Sequence, residues 1–241
     1  VAADSPTPEI AATCLNVKVP ASRFLNDKRI ERINAARYEG QEIAGALHVT
    51  GPDDTVLEIG AGIGLVGAVI AVNARPKAVR AFEANPDLIP AIEALYAAND
   101  LGERIAVRNA VLVSATDRPA TMTFHIHNSY LGSSLTGDPA RAQRSVDVPT
   151  ASFAEICADL SPTVLIMDIE GGELEVLRHA DLSGFRAVVL ELHPNAYGVE
   201  GMRECKAILR DAGFAPVAEK STRTVWTCVR AAAGAGADDD R

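Results

Sequence analysis

Thr55-Val56-Leu57-Glu58-Ile59-Gly60-Ala61-Gly62-Ile63-Gly64-Leu65-Val66-Gly67 is the stretch on which the fold turns. Its first five residues read as a buried strand, preceded by a Gly51-Pro52-Asp53-Asp54 turn and broken at the far end by alternating glycines. Glycine lets the backbone reverse sharply and lets a ligand approach it closely. The apolar run from about Leu65 to Asn73 reads as a helix, whose first N–H groups are free to meet an anion.

Working outward, the chain alternates. Ala78 to Phe82 reads as a strand and Leu88 to Ala98 as a helix; Ile105 to Val113 contains a strand, and Thr121 to Ile126 forms another. A polar stretch from about Asn128 to Ser145 reads as a loop, and Phe153 to Leu160 as a short helix. Thr163-Val164-Leu165-Ile166-Met167 is the most apolar strand, followed by a helix from Glu173 to Arg178, a strand from Ala187 to Leu192 and a helix from Met202 to Asp211. Phe214 to Glu219 and Thr224 to Val229 read as a closing hairpin. Strands alternating with helices give a parallel sheet covered on both faces, and the hairpin adds an antiparallel edge.

Toward the N-terminus, residues 22–48 read as helical and 1–20 as a loosely docked arm. The expected division is therefore an N-terminal arm and helical extension over 1–50, one α/β domain over 51–230, and a disordered Ala/Gly/Asp tail over 231–241. Length agrees: 241 residues suffice for one such domain and an appendage. A net charge of -9 argues against a generic nucleic-acid binder and against attraction to anionic membranes. No apolar run is long enough to span a bilayer, and the first residues lack the pattern of a secretory signal. Cys14, Cys157, Cys205 and Cys228 form no metal or disulfide spacing, which suits free thiols and a cytoplasmic location.

The glycine stretch fits two registers. Gly62-x-Gly64-x-x-Gly67 matches a dinucleotide fingerprint by letter, and Glu58-x-Gly60-x-Gly62-x-Gly64 matches the nucleoside-binding loop of S-adenosylmethionine (SAM) enzymes. A carboxylate at Glu58 would repel a pyrophosphate and attract a cationic amino group and sulfonium, so the second register is preferred. Glu83, about twenty residues on, ends the second strand, where an acid hydrogen-bonds ribose hydroxyls; both registers share it.

The segment Asp168-Ile169-Glu170-Gly171-Gly172-Glu173-Leu174-Glu175-Val176-Leu177 resembles the signature of FkbM-type SAM-dependent methyltransferases. Arg37-Tyr38-Glu39, the Glu58 to Gly64 loop, Phe82-Glu83-Ala84-Asn85-Pro86, Asn109-Ala110, Gly132-Ser133-Ser134-Leu135 and Val189-Leu190-Glu191-Leu192-His193-Pro194 extend the likeness over roughly 37–215. Met167 departs from it, since the family often has a polar residue there. The resemblance implies a Rossmann-like class I methyltransferase fold, with a mostly parallel seven-stranded sheet and one antiparallel edge strand. It also implies SAM as donor and a hydroxyl of a sugar or secondary metabolite as acceptor. Tyr38, Glu58, Gly60, Gly62, Gly64, Glu83, Asn109 and Asp168 are the residues expected at the cofactor.

Methylating an alcohol requires removal of its proton by a base or with the help of a metal. Asp168, Glu191 and His193 end neighbouring strands and are the expected catalytic group. His193 is the candidate base, and Asp168 with Glu191 or His193 could instead hold a divalent cation. Glu170 and Glu173 are expected to order the loop and the next helix, and His125 and His127 to face solvent. The Ser129 to Ser134 stretch either borders the acceptor or is a plain loop. The absence of Asn/Asp-Pro-Pro-Tyr/Phe after the apolar strand favours an oxygen acceptor. Two other functions remain open at this point: an NAD(P)-dependent oxidoreductase, and a SAM-binding protein without catalysis.

Overall fold

Alternation along the central strands explains why they are apolar throughout. Val164 and Ile166 pack into the core on one face of the sheet, Leu165 and Met167 into the core on the other, so a polar residue at any of the four would meet a helix. The computed structural model describes residues 8–127 and 143–231. The expectations for Ser129 to Ser134, for Leu135 and for a disordered tail beyond Ala231 lie outside them.

In chain order the elements are β1 (Ile10–Cys14), β2 (Val17–Pro20), α1 (Asp27–Asn34), α2 (Gly40–Val49), β3 (Thr55–Ile59), α3 (Leu65–Asn73), β4 (Ala78–Glu83) and α4 (Ile89–Ala98). They continue with β5 (Ile105–Asn109), β6 (Val111–Val113), β7 (Thr121–Ile126), β8 (Arg144–Ser152), α5 (Phe153–Leu160) and β9 (Val164–Met167). The last are α6 (Glu173–His179), β10 (Ala187–Glu191), α7 (Pro194–Asp211), β11 (Phe214–Pro216) and β12 (Val225–Arg230), with a 3-10 turn at Ala218–Lys220. Seven strands form one sheet in the order β11-β12-β10-β9-β3-β4-β5. The five from β10 to β5 run parallel, and β12 runs antiparallel to both β10 and β11. Strand order reverses between β3 and β9, the place where such sheets open a ligand crevice.

Three expectations change. The arm is not loosely docked: β1 and β2 form a hairpin whose Ala12, Cys14, Val17 and Val19 join the same core as α1 to α4, so packing shows no boundary near residue 50. The Asn16 side chain donates to Asn73 at 2.9 Å, and Asn99 bonds Lys18 through both its amide groups. The 22–48 helix is two helices, because Ala36 and Glu39 take left-handed backbone angles between them. Part of the polar stretch is structured: β8 pairs with β7 antiparallel and with β6 in parallel, giving a three-stranded sheet beside the main one. Cys14, Cys205 and Cys228 are buried, Cys157 half-buried, and all four are free. Among the described residues no helix is long and apolar enough to cross a membrane.

Gly60 is fixed by the fold. A Cβ there would lie 1.7 Å from the Asp168 carbonyl oxygen, and its φ is +86°. Gly60→Ala should cost at least about 3 kcal/mol, read as loss of the cooperative melt or a large fall in Tm. Gly62, also at positive φ, would set its Cβ no closer than 3.7 Å to any atom. Gly62→Ala should therefore fold, at a cost of about 1–2 kcal/mol for the left-handed conformation.

Candidate active site

The parallel registers bring the carboxyl ends of five strands to one edge. Ile59 pairs with Phe82 and with Met167, Glu83 with Asn109, and Leu190 with Met167. Over that edge lies a cavity of about 430 Å³. Gly60, Gly62, Glu83 and Asn85 line one side, Asp168 to Gly172 another, and Leu112, Val113, Met122 and Phe124 of the small sheet make an apolar wall.

Of the three glycines, Gly60 and Gly62 line the cavity. Gly64 does not: a Cβ there would press on Ile92 at 2.8 Å, so it serves the packing of α3 on α4. Glu83 ties the loop together, its Oε2 accepting from Gly62 N–H and its Oε1 from Asn85 N–H, both at 2.8 Å. Burial raises its pKa to about 7 against the lowering effect of those bonds. Asn109 lies behind, donating its Nδ2 to the carbonyls of Glu83 and Ala84. It sets the end of β4 and does not line the cavity.

The loop after β9 is ordered by Glu173, whose buried Oε1 accepts from Ile169 N–H at 3.1 Å and Gly171 N–H at 3.2 Å, as its position predicts. The same oxygen lies 2.9 Å from His193 Nδ1. His193 Nε2 lies 3.6 Å from Asp168 Oδ1 and 3.5 Å from Glu170 Oε2. Burial alone would lower the histidine's pKa; the bond to Glu173 and the charges of Glu173, Asp168 and Glu170 outweigh it and raise it to about 9. The same acids favour the imidazolium form of His193, which has no lone pair to take a proton. Asp168 is shifted in the same direction for another reason: burial, then Glu191 and Glu39, push its carboxyl well above the usual range. Its Oδ1 is buried without a hydrogen-bond partner. Among the described residues, Asp168, Glu170 and His193 form the one group able to offer three ligand atoms to a single metal ion, all within 4.8 Å. His125 belongs elsewhere, its Nδ1 2.8 Å from Ser145 Oγ across β7 and β8.

Two expected cofactor residues point away. On β3, alternation puts Glu58 on the face of Val56 and not at the strand's end. Its Oε1 accepts from Gly67 N–H at 2.9 Å inside the α3 interface, and the residue is 1% exposed. Burial raises its pKa to about 8, the Gly67 bond opposes this, and Glu39 and Glu83 add to it. Tyr38 is buried too, hydrogen-bonding the carboxylate of Glu39. Glu39 does line the cavity. Burial raises its pKa to about 7, the Tyr38 bond lowers it, and Glu191, Glu170 and Glu83 raise it further. Glu191 is not on the cavity wall; it hydrogen-bonds buried Glu42, whose pKa burial and that contact raise to about 8.

Residues 58–216 match the model of the methyltransferase FkbM domain. The chain belongs to that family. Family membership makes it a SAM-dependent methyltransferase and sets aside the oxidoreductase register. No curated protein matches it. Solved structures similar to it include a protein of the NADB-Rossmann superfamily from Streptococcus agalactiae, at 11% identity and TM-score 0.47, covering 78% of this chain and 65% of that one. Precorrin-6y C5,15-methyltransferase from Geobacter metallireducens is similar at 14% identity and TM-score 0.47, covering 88% and 93%. So is TYW2 of P. horikoshii in complex with MeSAdo, at 15% and 0.47, covering 93% and 70%.

For this FkbM-family domain the buried acids predict a pH response. Glu39, Glu42, Glu58 and Glu83 hold protons more tightly folded than unfolded, where a glutamate titrates near 4.5. Their stabilising contribution is present below that value and lost as pH rises through about 7 to 8. His193 acts with the same sign, its contribution present below 6.5 and lost through about 9. The Tm of the ligand-free protein should fall steadily across that range. Glu58→Gln, which keeps an acceptor for Gly67 without a charge, should melt higher than wild type at alkaline pH and bind SAM within about threefold of it. A drop in affinity beyond tenfold would return Glu58 to the site.

Proposed function

We propose that the chain methylates a hydroxyl group on a sugar or secondary metabolite, with SAM held across the ends of β3 and β4. The charge of the cavity wall carries this reading. Among the described lining residues are six carboxylates, Glu39, Glu83, Asp117, Asp168, Glu170 and Glu175, and no lysine or arginine. Such a wall attracts a sulfonium and an ammonium and repels a pyrophosphate. When bound, SAM supplies a methyl activated by its positive sulfur.

The chain's own residues do the rest. Gly62 leaves the backbone open to the nucleoside. Each Glu83 oxygen spends one acceptor site on a backbone N–H and keeps another for a ribose hydroxyl. Asp168 accepts the acceptor's proton at Oδ1, the unpartnered atom. Its raised pKa makes it a stronger base than an ordinary aspartate. His193, held by Glu173, positions that carboxylate. The apolar wall excludes water from the reacting oxygen. The oxygen acceptor is supported by the Asp168-Ile169-Glu170-Gly171 sequence, which lacks the Pro-Pro turn that grips amino nitrogen. A divalent cation at Asp168, Glu170 and His193 is the second reading, favoured by their clustering. It would orient the acceptor oxygen and lower its pKa.

Calorimetry should give SAM and S-adenosylhomocysteine affinities near micromolar, about -8 kcal/mol, with no competition from NADH. Gly62→Val should abolish binding, and Glu83→Ala should weaken it about tenfold to a hundredfold. NADH heat without SAM heat would sink the reading; SAM binding with no methyl transfer to any hydroxyl compound would leave a binding protein only.

Asp168→Asn should lower turnover about a hundredfold to ten-thousandfold with SAM affinity kept. Activity that vanishes in EDTA and returns with Mg²⁺ would select the metal version. Activity indifferent to EDTA would select Asp168 acting alone.

A further inference from the structure

No requirement of the fold explains Glu39. It is the N-cap of α2, yet its side chain makes no capping bond there. Its backbone sits at φ 48°, ψ 33°, the left-handed region that a residue with a Cβ adopts at a cost. Strain of this kind persists where the surroundings enforce it, often at a ligand. The conformation turns the carboxylate into the cavity, beside the glycine loop: its Oε1 lies 3.7 Å from where a Gly62 Cβ would be. Tyr38 holds it from behind. Its charged neighbours include the carboxylates of Glu191, Glu170, Glu83 and Asp168, and among the described residues no ion pair neutralises it. Asp168 and Glu170 have His193 as counter-ion; Glu39 has none among the described residues. It lies outside 58–216, the residues matched to the family model.

We infer that Glu39 holds the ammonium group at the methionine end of the donor. The assignment rests on the SAM reading above. Glu83 takes the ribose, and Glu39 lies on the other side of Gly62, so the two carboxylates take adjoining parts of one ligand, its ribose and its amino-acid end. This is the part the sequence reading gave to Glu58.

The test is titration calorimetry on the full chain with three probes: SAM, S-adenosylhomocysteine and 5′-methylthioadenosine, which lacks the amino-acid end. Glu39→Gln should weaken SAM and S-adenosylhomocysteine about tenfold to a hundredfold and leave methylthioadenosine within about twofold. SAM binding within about threefold of wild type would overturn the assignment, as would an equal loss for methylthioadenosine. Glu39→Gly guards against misfolding. It relieves the left-handed strain, so its Tm should equal or exceed wild type while SAM affinity falls as for Glu39→Gln. A lowered Tm with unchanged SAM affinity would make Glu39 structural. Failure of wild type to bind any of the three would instead overturn the donor reading itself.

Discussion

The contact between Gly60 and the backbone of Asp168 is the constraint on which the carboxyl edge depends. Asp168 N–H donates to the Ile59 carbonyl at 3.0 Å, and no side chain fits between Gly60 and the Asp168 carbonyl. The two chains leave the sheet almost touching. That closeness puts the glycine loop and the first acid after β9 on opposite walls of one cleft. Glu83 then fastens the loop from the other side. The arrangement is made of backbone, so the acids it carries can differ in role without disturbing it.

Those acids are held near one another against their own repulsion. Burial raises the pKa values of Glu39, Glu42, Glu83 and Asp168, neighbouring acids add to the shift at Glu39, Glu42 and Asp168, and acids around His193 raise its pKa too. A cationic ligand converts this from a cost to a source of affinity, because ionisation then gains a partner. The same reasoning explains why His193 is better suited to orienting a carboxylate than to taking a proton: three acids around one imidazole stabilise its charged form.

Much of this was legible before any coordinates. The buried parallel strands are legible to the residue at Thr55–Ile59 and within a residue at Ala78–Glu83 and Val164–Met167, because such strands are largely apolar runs; the antiparallel Thr121–Ile126 is legible too. What escaped had weaker local signals. β8, Arg144-Ser145-Val146-Asp147-Val148-Pro149-Thr150-Ala151-Ser152, holds an arginine, an aspartate and a proline and depends on partners far away in sequence. The β1 and β2 hairpin turns at Leu15 and Asn16, both left-handed, with no glycine to announce it. α7 begins earlier than its periodicity suggests because Gly198 breaks it into two. At the site, the idea of an acid beside the glycines was sound, but strand alternation sends Glu58 into a helix. The carboxylate that reaches the loop comes from Glu39, nineteen positions earlier, and sequence spacing gave no sign of it.

The cavity's apolar wall is the least local piece of the molecule. β6 joins β8 across the whole of 114–143, and among the described residues β7 pairs with β8, its Phe124 and Ile126 packing with Val111 of β6. Closing so long a segment is entropically slow, and pairings of this kind form after the local ones. The wall is therefore expected to close after the main sheet and to open before it. Amide exchange along β7 should run faster than along β9, and the ligand cavity should be roofed and unroofed by partial unfolding instead of by a hinge.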